Sequence, residues 1–294
     1  MSSRVIAGLF PGQGSQTSSL SELVSRVVPR LAAECVELVG EDPFARVADS
    51  TRFAQPAIFC ASLAGWKQRP RFVRPVVLAG HSLGELSALV AAGALDQSAG
   101  LRLAVRRGEL MAGASAGCEE GMLAVLGAPE EAVTRIAQEH ELVLANDNAP
   151  GQVVLAGPSE RLRAASQAAR AQRVRAIVLD VAGAFHSPSM SAAVEPFRAE
   201  LDEVEFVAPA IPVISGASAR SFEDVRAELA TAIVTPVRWG ATMLALAELG
   251  ADTFVDFGPG EVLARLVPRN LPDARVLDFR EELVARQKEP SGVA

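Results

Sequence analysis

The sequence predicts an α/β protein in which a large domain with a mostly parallel sheet carries a small, inserted ferredoxin-like domain. The large domain is predicted from short apolar runs separated by long helical patterns, which is typical of a parallel sheet covered on both faces. The small domain is predicted from an internal segment whose strands and helices follow the order βαββαβ. With 294 residues, the chain is long enough to bury a core in each domain.

The strands of the large domain are predicted from apolar runs at residues 5–10, 76–80, 212–215 and 253–257. The first run ends at Pro11-Gly12 after six residues, which is too short for the core of a signal peptide or for a membrane span. We therefore interpret it as the first buried strand.

The inserted domain is predicted to cover residues 119–181, which divides the catalytic domain into residues 1–118 and 182–294. A proline and two glutamates mark the start of its first helix, and a turn at 148–151 joins its two central strands. Its strands are expected at 122–126, 142–145, 153–156 and 176–181, and its helices at 129–140 and 159–172. A cleft between the two domains is the natural place for a substrate.

Composition argues against several classes of function. The 28 basic and 35 acidic residues give a net charge of −7, so no overall positive field attracts nucleic acid or an anionic membrane. The three cysteines are widely spaced and form no Cys-x-x-Cys pair, which indicates neither a disulfide framework nor a zinc site. A reducing cytoplasm is the expected location.

Residues 76–88 predict a nucleophile elbow. An apolar strand breaks at Gly80, presents Ser82, passes Gly84 and continues as a helix, and the two glycines let strand and helix approach closely. Ser82 would then be exposed at a helix N-terminus, where free N–H groups stabilise an oxyanion. The alternative is a Gly/Ser turn that matches the pattern by chance. The elbow indicates acyl-transfer chemistry and an α/β-hydrolase-like large domain.

A serine nucleophile needs a base, and the chain has three histidines. His81 adjoins Ser82 and would project in another direction, and His140 is expected to cap a solvated helix. His186, in a loop of small residues after a strand, is the best candidate by elimination. No acid stands out among Asp96, Asp147 and Asp180, so a Ser-His dyad oriented by a backbone carbonyl is as plausible as a triad.

Two further positions complete the candidate site. The glycine-rich segment 10–16 is either a simple turn or a second source of oxyanion-binding N–H groups, with Gln13 between two glycines. On a helical wheel of residues 101–114, Arg102 and Arg106 share the face that is expected to be exposed to solvent, whereas Arg107 falls among apolar residues. A guanidinium turned toward apolar residues is costly unless it meets an anion, such as a carboxylate of the substrate. The alternatives are a structural ion pair or an apolar stem that carries its charged end to solvent.

Together these segments resemble the malonyl-CoA:acyl carrier protein transacylases and the acyltransferase domains of polyketide synthases. The resemblance runs from residue 10 to about residue 267. Its motifs, in the order of the family, are Phe-Pro-Gly-Gln-Gly-Ser-Gln at 10–16, Gly-His-Ser-Leu-Gly-Glu at 80–85, Asn-Ala-Pro-Gly-Gln-Val-Val at 148–154, Pro-Val-Arg-Trp at 236–239 and Phe-Gly-Pro-Gly at 257–260. One such motif is weak evidence, but five in order are strong.

The resemblance implies that malonyl-CoA acylates Ser82 with His186 as base, and that the phosphopantetheine thiol of an acyl carrier protein then takes the malonyl group. It also implies that the N–H groups of Gln13 and Leu83 bind the oxyanion and that Arg107 pairs with the malonyl carboxylate. The carbonyl that orients the histidine is expected near Ala232, where many relatives carry Gln or Asn.

The resemblance extends to the acyl pocket. The stretch Ala-Phe-His at 184–186 is similar to that of malonyl-selecting polyketide acyltransferases, and a bulky Phe185 leaves little room for an α-methyl branch. Malonyl is therefore expected over methylmalonyl, in fatty-acid or polyketide supply by a stand-alone enzyme. His81 is counted with Arg107 and Phe185 among the substrate-binding residues. No cofactor or metal is expected, and the protein is expected to be a monomer.

Three alternatives remain at this point. A hydrolase of the same architecture would share Ser82 and His186 but would not need Arg107. An acyltransferase could instead act on another carboxyacyl-CoA, and a non-catalytic module could keep the fold alone. Docking of an acidic carrier protein would require local cations, for which the candidates are Lys67, Arg69, Arg71 and Arg74, or Arg173 and Arg175.

Overall fold

A computed structural model describes residues 4–279 of the chain, which form two sheets and the helices around them. The strands are β1 Ile6–Phe10, β2 Val77–Gly80, β3 Glu120–Leu126, β4 Val143–Ala149, β5 Gln152–Pro158, β6 Arg175–Val178, β7 Val213–Ile214, β8 Thr253–Asp256 and β9 Arg275–Val276. The helices are α1 Leu20–Val27, α2 Pro29–Val39, α3 Thr51–Gln68, α4 Gly84–Ala91, α5 Gln97–Ser115, α6 Glu130–Glu139, α7 Ser159–Ala171, α8 Val194–Asp202, α9 Val225–Thr231, α10 Trp239–Glu248 and α11 Val262–Asn270. A 3₁₀ helix, Pro188–Ala193, precedes α8.

The larger sheet has the strand order β7-β2-β1-β8-β9, and each of these neighbouring pairs is parallel. Every residue of β1, β2, β7 and β8 is buried, because helices cover both faces of the sheet. This confirms the predicted α/β class and all four apolar runs. The edge strand β9 was not predicted, since its two exposed residues are too few to show a pattern.

The smaller sheet has the order β4-β5-β3-β6, and all of its neighbouring strands are antiparallel. With α6 after β3 and α7 after β5, this is the ferredoxin-like arrangement that the βαββαβ order predicts. Leu123, Val125 and Leu155 on one face of the sheet share an apolar cluster with Ile136 of α6 and Leu162 of α7. The domain limits 119–181 and 182–294 stay a prediction, and residues 280–294 lie outside the described part of the chain.

The structure corrects the predicted bounds of two strands, one turn and one helix in this part of the chain. The second strand continues to Ala149 instead of ending at residue 145, because its pairing with β5 runs to Ala149. On its other side Asn146 pairs with Val237, and the Asp147 N–H donates to the Val237 carbonyl at 2.8 Å. The turn therefore shrinks to Pro150-Gly151. Pro129 is the N-cap of α6 and lies outside it, and the last strand ends at residue 178 rather than 181.

Within residues 4–279, no helix combines the length and the apolar character that crossing a membrane requires.

Candidate active site

Ser82 lies between the end of β2 and the start of α4, on a backbone held in a left-handed conformation with φ of 55°. Few residues other than glycine adopt this conformation, and it is typical of functional sites that the surrounding structure holds in place. The two flanking glycines allow the turn. A Cβ on Gly84 would lie 1.9 Å from the Phe10 carbonyl oxygen, and one on Gly80 would lie 2.1 Å from the Glu85 nitrogen. The predicted strand, turn and helix of an elbow are all present.

His186 meets this serine from the segment after the small sheet. Its Nε2 lies 2.8 Å from Ser82 Oγ, and its Nδ1 lies 2.9 Å from the Ala232 carbonyl and 3.1 Å from the Thr235 carbonyl. Because a carbonyl can only accept, Nδ1 carries the proton and Nε2 accepts the serine hydroxyl. Like Ser82, His186 has a left-handed backbone, with φ of 57°.

Main-chain carbonyls, rather than an acid, orient the histidine. Within the described residues, none of the three candidate aspartates hydrogen-bonds to His186. Asp96 caps α5 by accepting the N–H groups of Ser98 and Ala99. The geometry is therefore that of the dyad alternative, with the Ala232 carbonyl at the position expected from the resemblance.

His186 is 4% exposed, and burial, followed by electrostatic repulsion from Arg107, lowers its pKa from 6.5 to about 3. Its ring is consequently neutral at physiological pH. A neutral ring with its lone pair on Nε2 can take the proton of the serine hydroxyl.

Arg107 points into the same site from α5. It is 4% exposed, in agreement with the helical-wheel interpretation. Its Nη2 donates to Ser82 Oγ at 3.2 Å and its Nη1 donates to Gln55 Oε1 at 2.8 Å. Burial lowers its pKa to about 10, against the opposing effect of Glu85, so the guanidinium stays charged at neutral pH. Among residues 4–279, no carboxylate lies within 4 Å of this charge.

The glycine-rich loop after β1 lies directly against the elbow. A Cβ on Gly12 would lie 2.8 Å from the His81 carbonyl oxygen, 3.5 Å from Ser82 Cβ and 3.7 Å from the Leu83 nitrogen. The Ser15 hydroxyl donates to the Gly12 carbonyl at 2.8 Å, which holds the loop in shape. Leu83 is the N-cap of α4, a position whose N–H has no acceptor within its own helix. The structure thus brings the loop that carries Gln13 beside Leu83.

His81 faces away from the serine, as its position in the turn suggests. Its Nε2 lies 2.9 Å from Asn148 Oδ1, and its ring lies 5.4 Å from the ring of Trp239. Burial lowers the pKa of His81, so this ring is also neutral and its Nε2–H donates to the amide oxygen. Asn148 belongs to β4, so the small sheet touches the elbow through this hydrogen bond.

Phe185 is 7% exposed and directly precedes the histidine, in a segment that packs tightly against α5. A Cβ on Gly183 would lie 2.0 Å from Ser115 Oγ, and the Ser187 hydroxyl donates to the Ala184 carbonyl at 2.5 Å. His140, by contrast, is the C-cap of α6, as predicted.

The candidate docking cations lie at the surface. Lys67, Arg71, Arg74, Arg173 and Arg175 are exposed. Arg69 instead covers the ring of Trp66 at 3.4 Å and donates to the Trp66 carbonyl at 2.7 Å.

The sequence alone did not reveal two buried side chains of this site, Gln55 and Glu85. Glu85 is 2% exposed and accepts hydrogen bonds from Ser215 Oγ at 3.0 Å and the Gly216 N–H at 2.8 Å. Burial raises its pKa to about 7. The signal for Glu85 in the sequence is a charged residue in the first turn of a helix that is otherwise uncharged.

Comparison with known proteins finds similarity along nearly the whole chain. The profile of the acyl transferase domain matches residues 9–287. The chain is 40% identical over 282 residues to the polyketide biosynthesis protein ThaF of Burkholderia thailandensis, covering 90% of this chain and 24% of that protein. It is 36% identical over 290 residues to the polyketide biosynthesis malonyl CoA-acyl carrier protein transacylase PksC of Bacillus subtilis, covering 93% of this chain and 99% of that one.

A solved structure shares the fold. It is the malonyl-transacylase PlMCAT in complex with AntF, a type II PKS acyl-carrier protein. The match has a TM-score of 0.84 and 31% identity, and covers 92% of this chain and 94% of that one.

Proposed function

Because the chain belongs to the acyl transferase domain family, among the malonyl CoA-acyl carrier protein transacylases, we propose that it moves a malonyl group between two thiols by way of Ser82. The donor is malonyl-CoA, and the acceptor is the phosphopantetheine thiol of an acyl carrier protein. Malonyl CoA and acyl carrier protein both appear in the name of the relative PksC, and the relative PlMCAT is bound to its acyl-carrier protein in a solved structure.

The first half of the reaction acylates the serine. Ser82 Oγ attacks the thioester carbonyl of malonyl-CoA while His186 Nε2 takes the hydroxyl proton. The N–H groups of Gln13 and Leu83 stabilise the resulting oxyanion. The carbon–sulfur bond then breaks, and His186 returns the proton to the departing CoA thiolate, which leaves the malonyl-Ser82 ester.

The second half runs the same steps in reverse order with a different thiol. The carrier thiol gives its proton to His186, and its sulfur attacks the ester carbonyl. The same N–H groups hold the second oxyanion. When the carbon–oxygen bond breaks, the serine oxygen takes the proton back, and both residues return to their starting state.

The observation that carries the choice of substrate is the position of Arg107. Its guanidinium is buried and charged, lies 3.2 Å from Ser82 Oγ, and has no carboxylate within 4 Å among the described residues. A planar guanidinium is suited to bind a carboxylate through two hydrogen bonds. An acyl group that is attached to Ser82 and ends in a carboxylate would complete this site.

A hydrolase of the same architecture is the second candidate, since it would use the same serine and histidine. Incubation with malonyl-CoA and a carrier protein, followed by intact-mass analysis of both proteins, separates the two. We expect a malonyl adduct on the enzyme that disappears in Ser82→Ala, and transfer of this group to the carrier. Release of malonate without loading of the carrier would refute the transferase. A protein that forms no adduct would be a non-catalytic module.

We also propose the acyl specificity, the pathway, the location and the oligomeric state of the enzyme. Phe185 next to the base restricts the room for an α-methyl branch, so malonyl is preferred over methylmalonyl. The reaction uses no cofactor besides its substrates, and the similarity to PksC favours polyketide supply. The free thiols of Cys35, Cys60 and Cys118 fit a cytoplasmic location. We propose that the enzyme acts there as a monomer.

A further inference from the structure

Gln55 is a buried residue of α3 that reaches the arginine on α5. It is 2% exposed, and its Oε1 accepts a hydrogen bond from Arg107 Nη1 at 2.8 Å. Its Nε2 donates to Thr51 Oγ1 at 3.0 Å and approaches Met111 Sδ at 3.3 Å. Both ends of the amide are therefore engaged.

These contacts fix which way the amide faces. A guanidinium has only donors, so the amide oxygen must point at Arg107 and the amide nitrogen must point at Thr51. With Nη1 held by Gln55, Nη2 is directed to Ser82 Oγ. The guanidinium plane is thus anchored at one end and faces the reacting atom at the other.

The amide of Gln55 that holds Arg107 is neutral, so it does not offset the positive charge of the guanidinium. Glu85 influences the pKa of Arg107, but its Oε1 accepts from Ser215 and Gly216 and lies beyond ion-pair distance of the guanidinium. A carboxylate at position 55 would hold Arg107 equally well and would cancel its charge at close range. An amide holds the arginine and leaves the charge for the substrate.

We propose that Gln55 is a specificity-positioning residue, which aims Arg107 at the acyl group on Ser82 and, by being neutral, reserves the charge of Arg107 for a substrate carboxylate. This inference rests on the proposed function. It adds that the preference for a carboxyacyl group depends on an amide that does not itself touch the acyl group.

The test is the near-isosteric substitution Gln55→Glu. The measurement is the rate of ester formation on Ser82 from malonyl-CoA and from acetyl-CoA, followed by intact mass. The introduced carboxylate should form an ion pair with Arg107, so we expect the malonyl-to-acetyl ratio to fall by about tenfold to a hundredfold. Gln55→Met removes the anchor without adding charge, so its ratio should fall less and its KM for malonyl-CoA should rise.

Two comparisons separate positioning from structural damage. Ser62→Ala changes another buried polar residue of α3, one without a hydrogen-bond partner among the described residues, and should keep the wild-type ratio. In an Arg107→Ala background, Gln55→Glu should lower the malonyl-to-acetyl ratio no further, because the residue through which it acts is gone.

The possible failures are distinguishable. If the wild-type protein forms no malonyl ester, the proposed function fails before any variant is compared. If the wild type forms the ester, an unchanged ratio in both Gln55 variants overturns the inference, as does an equal loss with both acyl groups. A further fall of the ratio in the Arg107→Ala background would also overturn it. If Gln55→Glu does not fold, Gln55→Met decides the question by the same ratio.

Discussion

The carboxylate of Glu85 accepts a hydrogen bond from the N–H of Gly216 at 2.8 Å, across 131 positions of the chain. Glu85 lies on α4, three residues after the nucleophile, and Gly216 follows the end of β7. Two residues later the Ser218 hydroxyl donates to Glu228 of α9 at 3.2 Å. The carboxylate thereby joins the helix behind the serine to a segment that contacts α9.

These contacts continue through α9 to His186 and so lead back to Ser82. The helix α9 has Ala232 as its C-cap, and the Ala232 carbonyl orients His186. His186 in turn hydrogen-bonds to Ser82. A chain of contacts therefore links Ser82 and His186, the proposed nucleophile and base, through a buried carboxylate that hydrogen-bonds to neither of them.

The first prediction concerns stability. In the folded protein the pKa of Glu85 is raised from 4.5 to about 7. The protonated carboxyl therefore stabilises the folded state fully below pH 4.5, and this part of the free energy of unfolding is lost as the pH rises to 7. Over this window the wild type should lose roughly 3 kcal/mol relative to Glu85→Gln, which keeps an acceptor but cannot ionise. Thermal unfolding of both proteins at pH 5 and pH 7.5 measures this, and parallel profiles would contradict it.

The second prediction concerns the base. Because the pKa of His186 is lowered to about 3, the free enzyme keeps this ring neutral from pH 5 to pH 8. The kcat/KM for ester formation should therefore show no acid limb near pH 6.5. If kcat/KM does fall on the acid side, the variant Glu85→Gln identifies the group. A fall that is also seen in Glu85→Gln would show that His186 titrates normally, whereas a fall that is absent from Glu85→Gln belongs to Glu85.

The third prediction concerns Arg107. Arg107→Ala should lower malonyl transfer about a hundredfold and acetyl transfer much less, because only malonyl offers a carboxylate to the lost guanidinium. Arg107→Lys keeps the charge but loses the planar fork, so it should recover part of the malonyl rate. Equal losses with both acyl groups would show that the arginine does not bind the carboxylate.

The fourth prediction concerns the elbow. A methyl group on Gly84 would lie 1.9 Å from the backbone oxygen of Phe10, so Gly84→Ala should destabilise the fold by about 3 kcal/mol and displace the serine. Gly113 in α5 has open space around its Cβ position and no positive φ. The control Gly113→Ala should therefore stabilise the protein by about 0.5 to 1 kcal/mol. Denaturant unfolding tests both, and similar shifts would contradict the steric argument.

The fifth prediction concerns the carrier protein. Replacing the exposed Arg71 and Arg74 by Glu should raise the KM for an acidic carrier and leave ester formation from malonyl-CoA at its wild-type rate. The same double replacement at Arg173 and Arg175 tests the second surface. Stopped-flow measurement of the two half-reactions distinguishes the surfaces, and a slower first half-reaction would rule out a pure docking role.

The sequence predicted the parts of the site that depend on local patterns. Gly80, Ser82 and Gly84 are close in the chain, and their spacing alone predicts the turn. The wheel around Arg107 predicted its burial because helical periodicity relates neighbouring residues.

Other contacts lie beyond any local pattern. Nothing near Gln55 indicates that it meets Arg107 from another helix, and Glu85 meets its partners more than a hundred residues later. The second strand of the small sheet was predicted too short because Asn146, Asp147 and Asn148 are polar and lack a strand-like apolar pattern, although this end of the strand pairs with β5.

One short segment, residues 183–187, holds both the base and the aromatic ring expected beside the acyl group. Gly183 lets this segment lie close against Ser115 of α5, since a Cβ at position 183 would lie 2.0 Å from Ser115 Oγ. If Phe185 lines the acyl pocket as we propose, a substitution that enlarges this pocket falls on the residue next to His186, so acyl selection and the position of the base are coupled. A wider range of acyl groups would then be gained at the expense of reaction rate, unless a second substitution restores the geometry of His186.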